Sequence, residues 1–189
     1  MLTRTVLATS AAALLASATG VSATAASTDT HAAHPAAAPA AAPKLCAENA
    51  LTVKAAASGQ DHVLRLSVTN HSPRACLVSR VPLVTYGDLD GAAVPFPLSG
   101  SSTYKLDAGK TAHAAVRSLT ASDDSDPRSV GYVVVSANPE HQGKKFTAAS
   151  LSEPRGLRVW SPVTTLWQPT RAQADEVLAE SDGAGALKV

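Results

Sequence analysis

The run His62-Val63-Leu64-Arg65-Leu66-Ser67-Val68-Thr69-Asn70 decides the fold class. In an extended chain Leu64, Leu66 and Val68 fall on one face and Arg65, Ser67 and Thr69 on the other, the two-residue period of a half-buried strand. Asn70-His71-Ser72-Pro73 ends it with residues that favour a turn. Upstream, Leu51-Thr52-Val53 followed by the turn residues Gly59-Gln60-Asp61 predicts its antiparallel neighbour.

The same texture of short runs between turn signals continues downstream. Strands are expected at Cys76 to Val78 and Val81 to Tyr86, and Gly87-Asp88-Leu89-Asp90-Gly91 predicts a tight reversal into Ala92 to Phe96. Pro95 and Pro97 remove ladder donors and place that last segment at an edge. Thr103 to Leu106 and Thr111 to Leu119 flank the turn Asp107-Ala108-Gly109, and the polar stretch Ser122 to Arg128 reads as a loop. Val130 to Ala137, with its unbroken Val133-Val134-Val135, predicts a central strand buried on both sides. Lys144-Lys145 reads as a hairpin tip, and Phe146 to Ser150 and Leu157 to Trp160 close the set. About eight or nine strands suffice for two packed sheets, so residues 45–168 are expected to form an all-β, antiparallel sandwich. Behind it, Thr170-Arg171-Ala172-Gln173 fits a capping box with Ala174, Val177 and Leu178 at helical spacing, predicting a short helix over 169–180 and a disordered tail over 181–189.

Ahead of the sandwich the composition is different. A short basic start with Arg4 runs into the apolar segment Val6 to Ala18, which is too short to span a bilayer, and small residues follow it. This is the pattern of a signal peptide over 1–25, cleaved after Ala23-Thr24-Ala25. Residues 26–44 are rich in Ala and Pro, with Pro35, Pro39 and Pro43 evenly spaced, and read as a disordered tether. The product is expected to be secreted or extracellular, with retention at the cell wall as one destination and no membrane span after cleavage.

The chain has 189 residues, with 16 Lys and Arg against 15 Asp and Glu. Cleavage removes only Arg4, leaving a balanced charge and no basic stretch of the kind that binds phosphate backbones, so nucleic acid is not an expected partner. In an oxidising compartment the two cysteines, Cys46 and Cys76, allow one pairing and are expected to form a disulfide.

Catalytic motifs are missing. There is no Gly-x-Ser-x-Gly elbow, no His-Glu-x-x-His helix and no phosphate loop, and Ser99, Ser101 and Ser102 sit among small turn residues. His31 and His34 offer two imidazoles on the tether, short of the four ligands of a closed zinc site. Asp123, Asp124 and Asp126 lack the glycine and distal glutamate of a calcium loop. Asn70-His71-Ser72 matches a glycosylation sequon. Trp160 and Trp167 are both expected to pack in the core, and Trp167, beside Gln168-Pro169, is the one better placed for a surface role.

One arrangement carries a resemblance: Cys46, the Leu51 to Val53 strand, Leu64 to Asn70, then Ser72 to Cys76, with Leu106-Asp107-Ala108-Gly109-Lys110-Thr111-Ala112-His113 further on. Over about residues 45–160 the chain resembles a family of secreted actinobacterial domains of unknown function, the DUF4232 type. Where that family has Gly-Tyr-Pro-Gly after its second cysteine, this chain has Ser79-Arg80-Val81-Pro82. The resemblance implies an immunoglobulin-like fold and no established activity.

The expected function is therefore an exported, non-catalytic binding or structural module of the cell envelope or extracellular space. Its partner is an unknown protein or a cell-wall component, and it needs no cofactor. The competing readings are an extracellular enzyme of unrecognised type, with His113 or His62 beside an acid as its sign, and weak metal binding by His31 and His34.

Overall fold

The computed structural model describes residues 42–98, 102–120 and 126–185, with side chains through Asp182. The signal segment 1–25, the tether up to residue 41 with His31 and His34, Ser99, Ser101, Asp123, Asp124 and the last residues 186–189 lie outside the described residues.

Among the described residues twelve strands form two layers. They are β1 Leu51–Ala57, β2 Val63–Asn70, β3 Cys76–Ser79, β4 Leu83–Tyr86, β5 Val94–Phe96, β6 Thr103–Leu106, β7 Thr111–Arg117, β8 Arg128–Val130, β9 Tyr132–Ser136, β10 Lys144–Thr147, β11 Leu157–Val159 and β12 Val163–Thr165. The first layer is a five-stranded sheet in the order β1-β2-β7-β12-β5, and the second comprises β10-β9-β4, β3-β6 and β8-β11. Leu64, Leu66 and Val68 of β2 and Ala112, Ala114 and Val116 of β7 face Val84, Val133 and Val135 of the second layer in one buried cluster. The alternation in β2 thus puts its apolar face inward, giving an immunoglobulin-like sandwich.

Several local expectations are corrected. Residues Gly87 to Gly91 do not close a hairpin, because β4 and β5 lie in different layers. The chain crosses there, and β5 pairs with β12 in parallel, an exception to the antiparallel pattern. β5 is an edge, as its prolines require. The Asp107-Ala108-Gly109 turn is likewise a corner, since β6 pairs with β3 and β7 with β2. β9 is central but buried on one side only: Val133 and Val135 are inside while Val134 is half-buried. Lys144 and Lys145 lie within β10 rather than at a tip.

The helix, α1 Arg171–Gly185, continues past residue 180 where the tail was expected to begin. Thr170 caps it, its hydroxyl accepting from the Gln173 amide at 3.2 Å and donating to Gln173 Oε1 at 3.0 Å. So short a helix is marginal alone, and it is held by docking on the outer face of the five-stranded sheet. Ala174 and Leu178 pack against Val63, Ala115 and Val163. Arg65 makes a bidentate ion pair with Asp175 at 2.8 to 3.1 Å, and Arg117 pairs with Asp182.

This docking places His113 beside the start of α1, where burial first and the Arg171 charge second lower its pKa below 6.5. The unfolded chain then takes up a proton below pH 6.5 that the folded chain resists. Stability is expected to fall as pH drops from 6.5 through the folded-state value and to level off beneath it. Urea unfolding of the wild type and His113→Gln across that window checks this, with the variant showing the shallower slope.

Candidate functional site

The crossing from β4 to β5 forms one wall of a cleft. Gly87 leaves β4 at φ 53°, and a Cβ there would stand 3.0 Å from that of Val130, so both conformation and space call for glycine. Its amide donates to Tyr132 O at 2.9 Å, and Ala93 N donates to Val84 O at 2.9 Å, pinning both ends of the arch.

The opposite wall is the connection from β11 to β12. Trp160 N donates to Ser118 O at 2.9 Å and Trp160 O accepts from Thr120 N at 3.0 Å. Thr120 Oγ1 donates to Ser161 O at 2.9 Å, and Pro162 O accepts from Val94 N at 2.8 Å. Within this tightly held segment Ser161 has φ 46°, a left-handed conformation that costs a non-glycine residue about 1 kcal/mol or more. Such strain persists where the surroundings over-determine it, often at binding sites.

Between the walls lies a hollow of about 440 Å³, lined by Tyr86, Asp88, Asp90, Arg128, Trp160 and Ser161 among others. Trp160 is 38% exposed and stands on a lip fixed by hydrogen bonds, an aromatic ring with a polar N–H open to a partner. Asp88 accepts a 2.8 Å hydrogen bond from the Tyr132 hydroxyl, and this bond to the carboxylate raises the Tyr132 pKa above the usual phenol range. Asp90 and Arg128 are exposed and, among the described residues, have no ion-pair partner.

Tyr86 is 2% exposed, and its hydroxyl has no hydrogen-bond partner among the described residues. Burial pushes its pKa well above the usual phenol range. An unpaired buried hydroxyl costs roughly 1 to 3 kcal/mol, so Tyr86→Phe is expected to leave stability unchanged or raise it by about 1 kcal/mol. Thermal or urea unfolding reads this directly, and a loss of stability would mean the hydroxyl is paired in solution.

A larger hollow of about 750 Å³ lies beside the disulfide, walled by Ala42 to Ala47, Ala50, Ser72, Arg74 to Cys76 and Lys105. Its surface is mainly apolar, with Lys44, Arg74 and Lys105 on it and, among the described residues, no aromatic side chain and no carboxylate; no buried unpaired polar atom faces it, and Lys105 is already paired with Asp107 at 3.0 Å.

Other residues singled out in the sequence fall as follows. The Cys46 and Cys76 sulfurs are 2.05 Å apart and both residues are buried. Asn70 is wholly buried, with its amide nitrogen donating to Arg74 O, Leu106 O and Asp107 O at 2.9 to 3.3 Å. The folded domain therefore offers no accessible sequon at Asn70. His62 and His113 do not line the cleft. Among the described residues no group of three or more His, Cys, Asp or Glu is arranged to hold a metal ion. Of the two tryptophans expected in the core, Trp167 is fully buried, whereas Trp160 is not a core residue. A signal for this was present, because in β11 Leu157 and Val159 face inward while Arg158 and Trp160 alternate outward.

Across residues 46–168 the sequence matches the family model described as a domain of unknown function, DUF4232. The chain belongs to the DUF4232 family. Comparison with curated proteins and with solved structures gives no match. The family span begins at Cys46 and ends at Gln168, so it takes in the disulfide, both layers and both walls of the cleft, and stops short of α1. In this DUF4232 domain the cleft is assembled from three segments distant in sequence, and sequence reasoning picked out none of them as a site. Among the described residues no helix is long and apolar enough to cross a membrane.

Proposed function

We propose that this DUF4232 domain is an exported, non-catalytic binding module of the cell envelope or extracellular space, and that it holds its ligand in the cleft between Gly87 to Ala92 and Trp160 to Pro162. The observation that carries this reading is the meeting, in one cleft with hydrogen-bonded walls, of an exposed tryptophan with charges of both signs, Asp90 and Arg128, that have no ion-pair partner among the described residues. A held backbone around an aromatic anchor lowers the ordering cost of binding, leaving only the exposed Asp90 and Arg128 side chains to be ordered.

Export is supported by the basic and apolar start of the chain and by a disulfide that an oxidising space maintains. The non-catalytic reading is supported by the cleft's lining, in which, among the described residues, Ser161 stands without a histidine or lysine to activate it.

The test is co-sedimentation of the mature protein with isolated cell envelope. Trp160→Ala and Arg128→Ala are expected to lower the bound fraction about tenfold, while Lys54→Ala, on the distant strand β1, leaves it unchanged. Full retention of the Trp160→Ala variant would contradict the proposal.

A further inference from the structure

We infer that the ligand of this cleft is a saccharide, held by stacking of a sugar ring on Trp160 and by hydrogen bonds from its hydroxyls to Asp88, Asp90 and Arg128. The inference rests on the binding-module reading above and gives it a ligand class.

Charge narrows the field first. Among the described residues the cleft is lined by two carboxylates and one guanidinium, so neither a strongly anionic nor a strongly cationic ligand gains from every one of these groups. A neutral ligand does, if it offers both donors and acceptors. Carboxylates accept from hydroxyls, and guanidinium donates to hydroxyl and ring oxygens in a fixed fork. A vicinal diol matches both with one small unit.

Trp160 supplies the second criterion. It is 38% exposed and lines the cleft, and an indole, with its apolar face and polar N–H edge, suits a partner that has an apolar face and a polar rim. A pyranose is such a partner: its axial C–H bonds form an apolar face and its hydroxyls point outward. A purely apolar ligand would strand Asp90 and Arg128 without partners, and a small polyol without a ring would leave Trp160 uncovered.

Shape agrees. A hollow of about 440 Å³ suits one or two sugar units. The wall carrying Trp160 is tied to residues 118–120 and to Val94 by four hydrogen bonds, so the ring's mounting does not have to be ordered on binding.

The experiment is calorimetric titration of the mature protein with short soluble oligomers of glucose, N-acetylglucosamine, mannose and arabinose, with tryptophan emission recorded in parallel. At least one oligomer is expected to bind saturably and to change the emission. Trp160→Phe should keep affinity within a few-fold while abolishing the emission change, since the remaining Trp167 is buried in the core. Trp160→Ala and Asp90→Asn should each weaken binding about tenfold or more, with unfolding midpoints unchanged. Two results overturn the inference. If no oligomer binds but a protein fraction of the envelope is retained in a Trp160-dependent way, the site stands and the ligand class is wrong. If nothing binds in a Trp160-dependent way, both the class and the binding-module reading fall.

Discussion

Replacing Cys46 and Cys76 together by serine is expected to lower the unfolding free energy by roughly 3 to 4 kcal/mol, the loop-closure entropy of a cross-link over about 30 residues. The bridge joins the segment ahead of β1 to the start of β3 and encloses the β1-β2 hairpin. Both cysteines belong to the main buried cluster, so the double serine variant also places two hydroxyls in apolar surroundings. What remains at that edge is a short parallel pairing, in which Leu77 N donates to Lys44 O and Cys46 N to Leu77 O, each at 2.8 Å. Against a typical net stability of about 5 to 15 kcal/mol this is a large fraction. Urea unfolding with and without reductant measures it: the wild type should lose stability under reduction and the serine variant should be indifferent.

Asn70→Ala is the second large effect, about 3 kcal/mol or more. The two N–H groups of the Asn70 amide are shared among three backbone carbonyls, two of them at the β6 end and its turn, and its oxygen accepts from Ser72 N at 2.8 Å and Ser72 Oγ at 2.7 Å. Its backbone is engaged as well, with Gly109 N donating to Asn70 O at 2.8 Å and Asn70 N to Lys110 O at 3.0 Å. One side chain thus ties the end of β2 to the corner between β6 and β7. Truncation removes the buried donor that Leu106 O, Asp107 O and Arg74 O share; Arg74 O keeps Ser72 Oγ at 2.7 Å and Asp107 O keeps Lys110 N at 3.0 Å, while the Ser72 amide loses its acceptor. Asn70→Asp should be no better, because a carboxylate has no donor for the three carbonyls and repels them. Since Cys76 is the cross-strand partner of Leu106, Asn70 and the disulfide secure the same corner. The two losses are therefore expected to be non-additive in a double-variant cycle, by more than about 0.5 kcal/mol.

The parts of the fold legible in the sequence were those encoded locally. Leu64 to Asn70 declares its strand by period alone, Thr170 to Gln173 its helix start, and two cysteines leave one pairing. Pairing choices were less legible because they depend on distant segments: nothing between Tyr86 and Val94 states that the chain will change layers and lie parallel to β12. β12 itself passed unnoticed, being three residues between Pro162 and Leu166 with no alternation long enough to read. The cleft was illegible for the same reason. Asp90, Arg128 and Trp160 look like ordinary turn, loop and core residues until the crossing brings them together.

Backbone amide shifts of the labelled protein during titration with solubilised envelope material test the central claim, that the cleft is the ligand's seat. The account predicts perturbations gathered on Gly87 to Ala92, Arg128, Trp160 and Ser161, with α1 and the disulfide end silent. Perturbations gathered instead on Lys44 to Ala50 and Arg74 to Cys76, around the larger hollow, would contradict it.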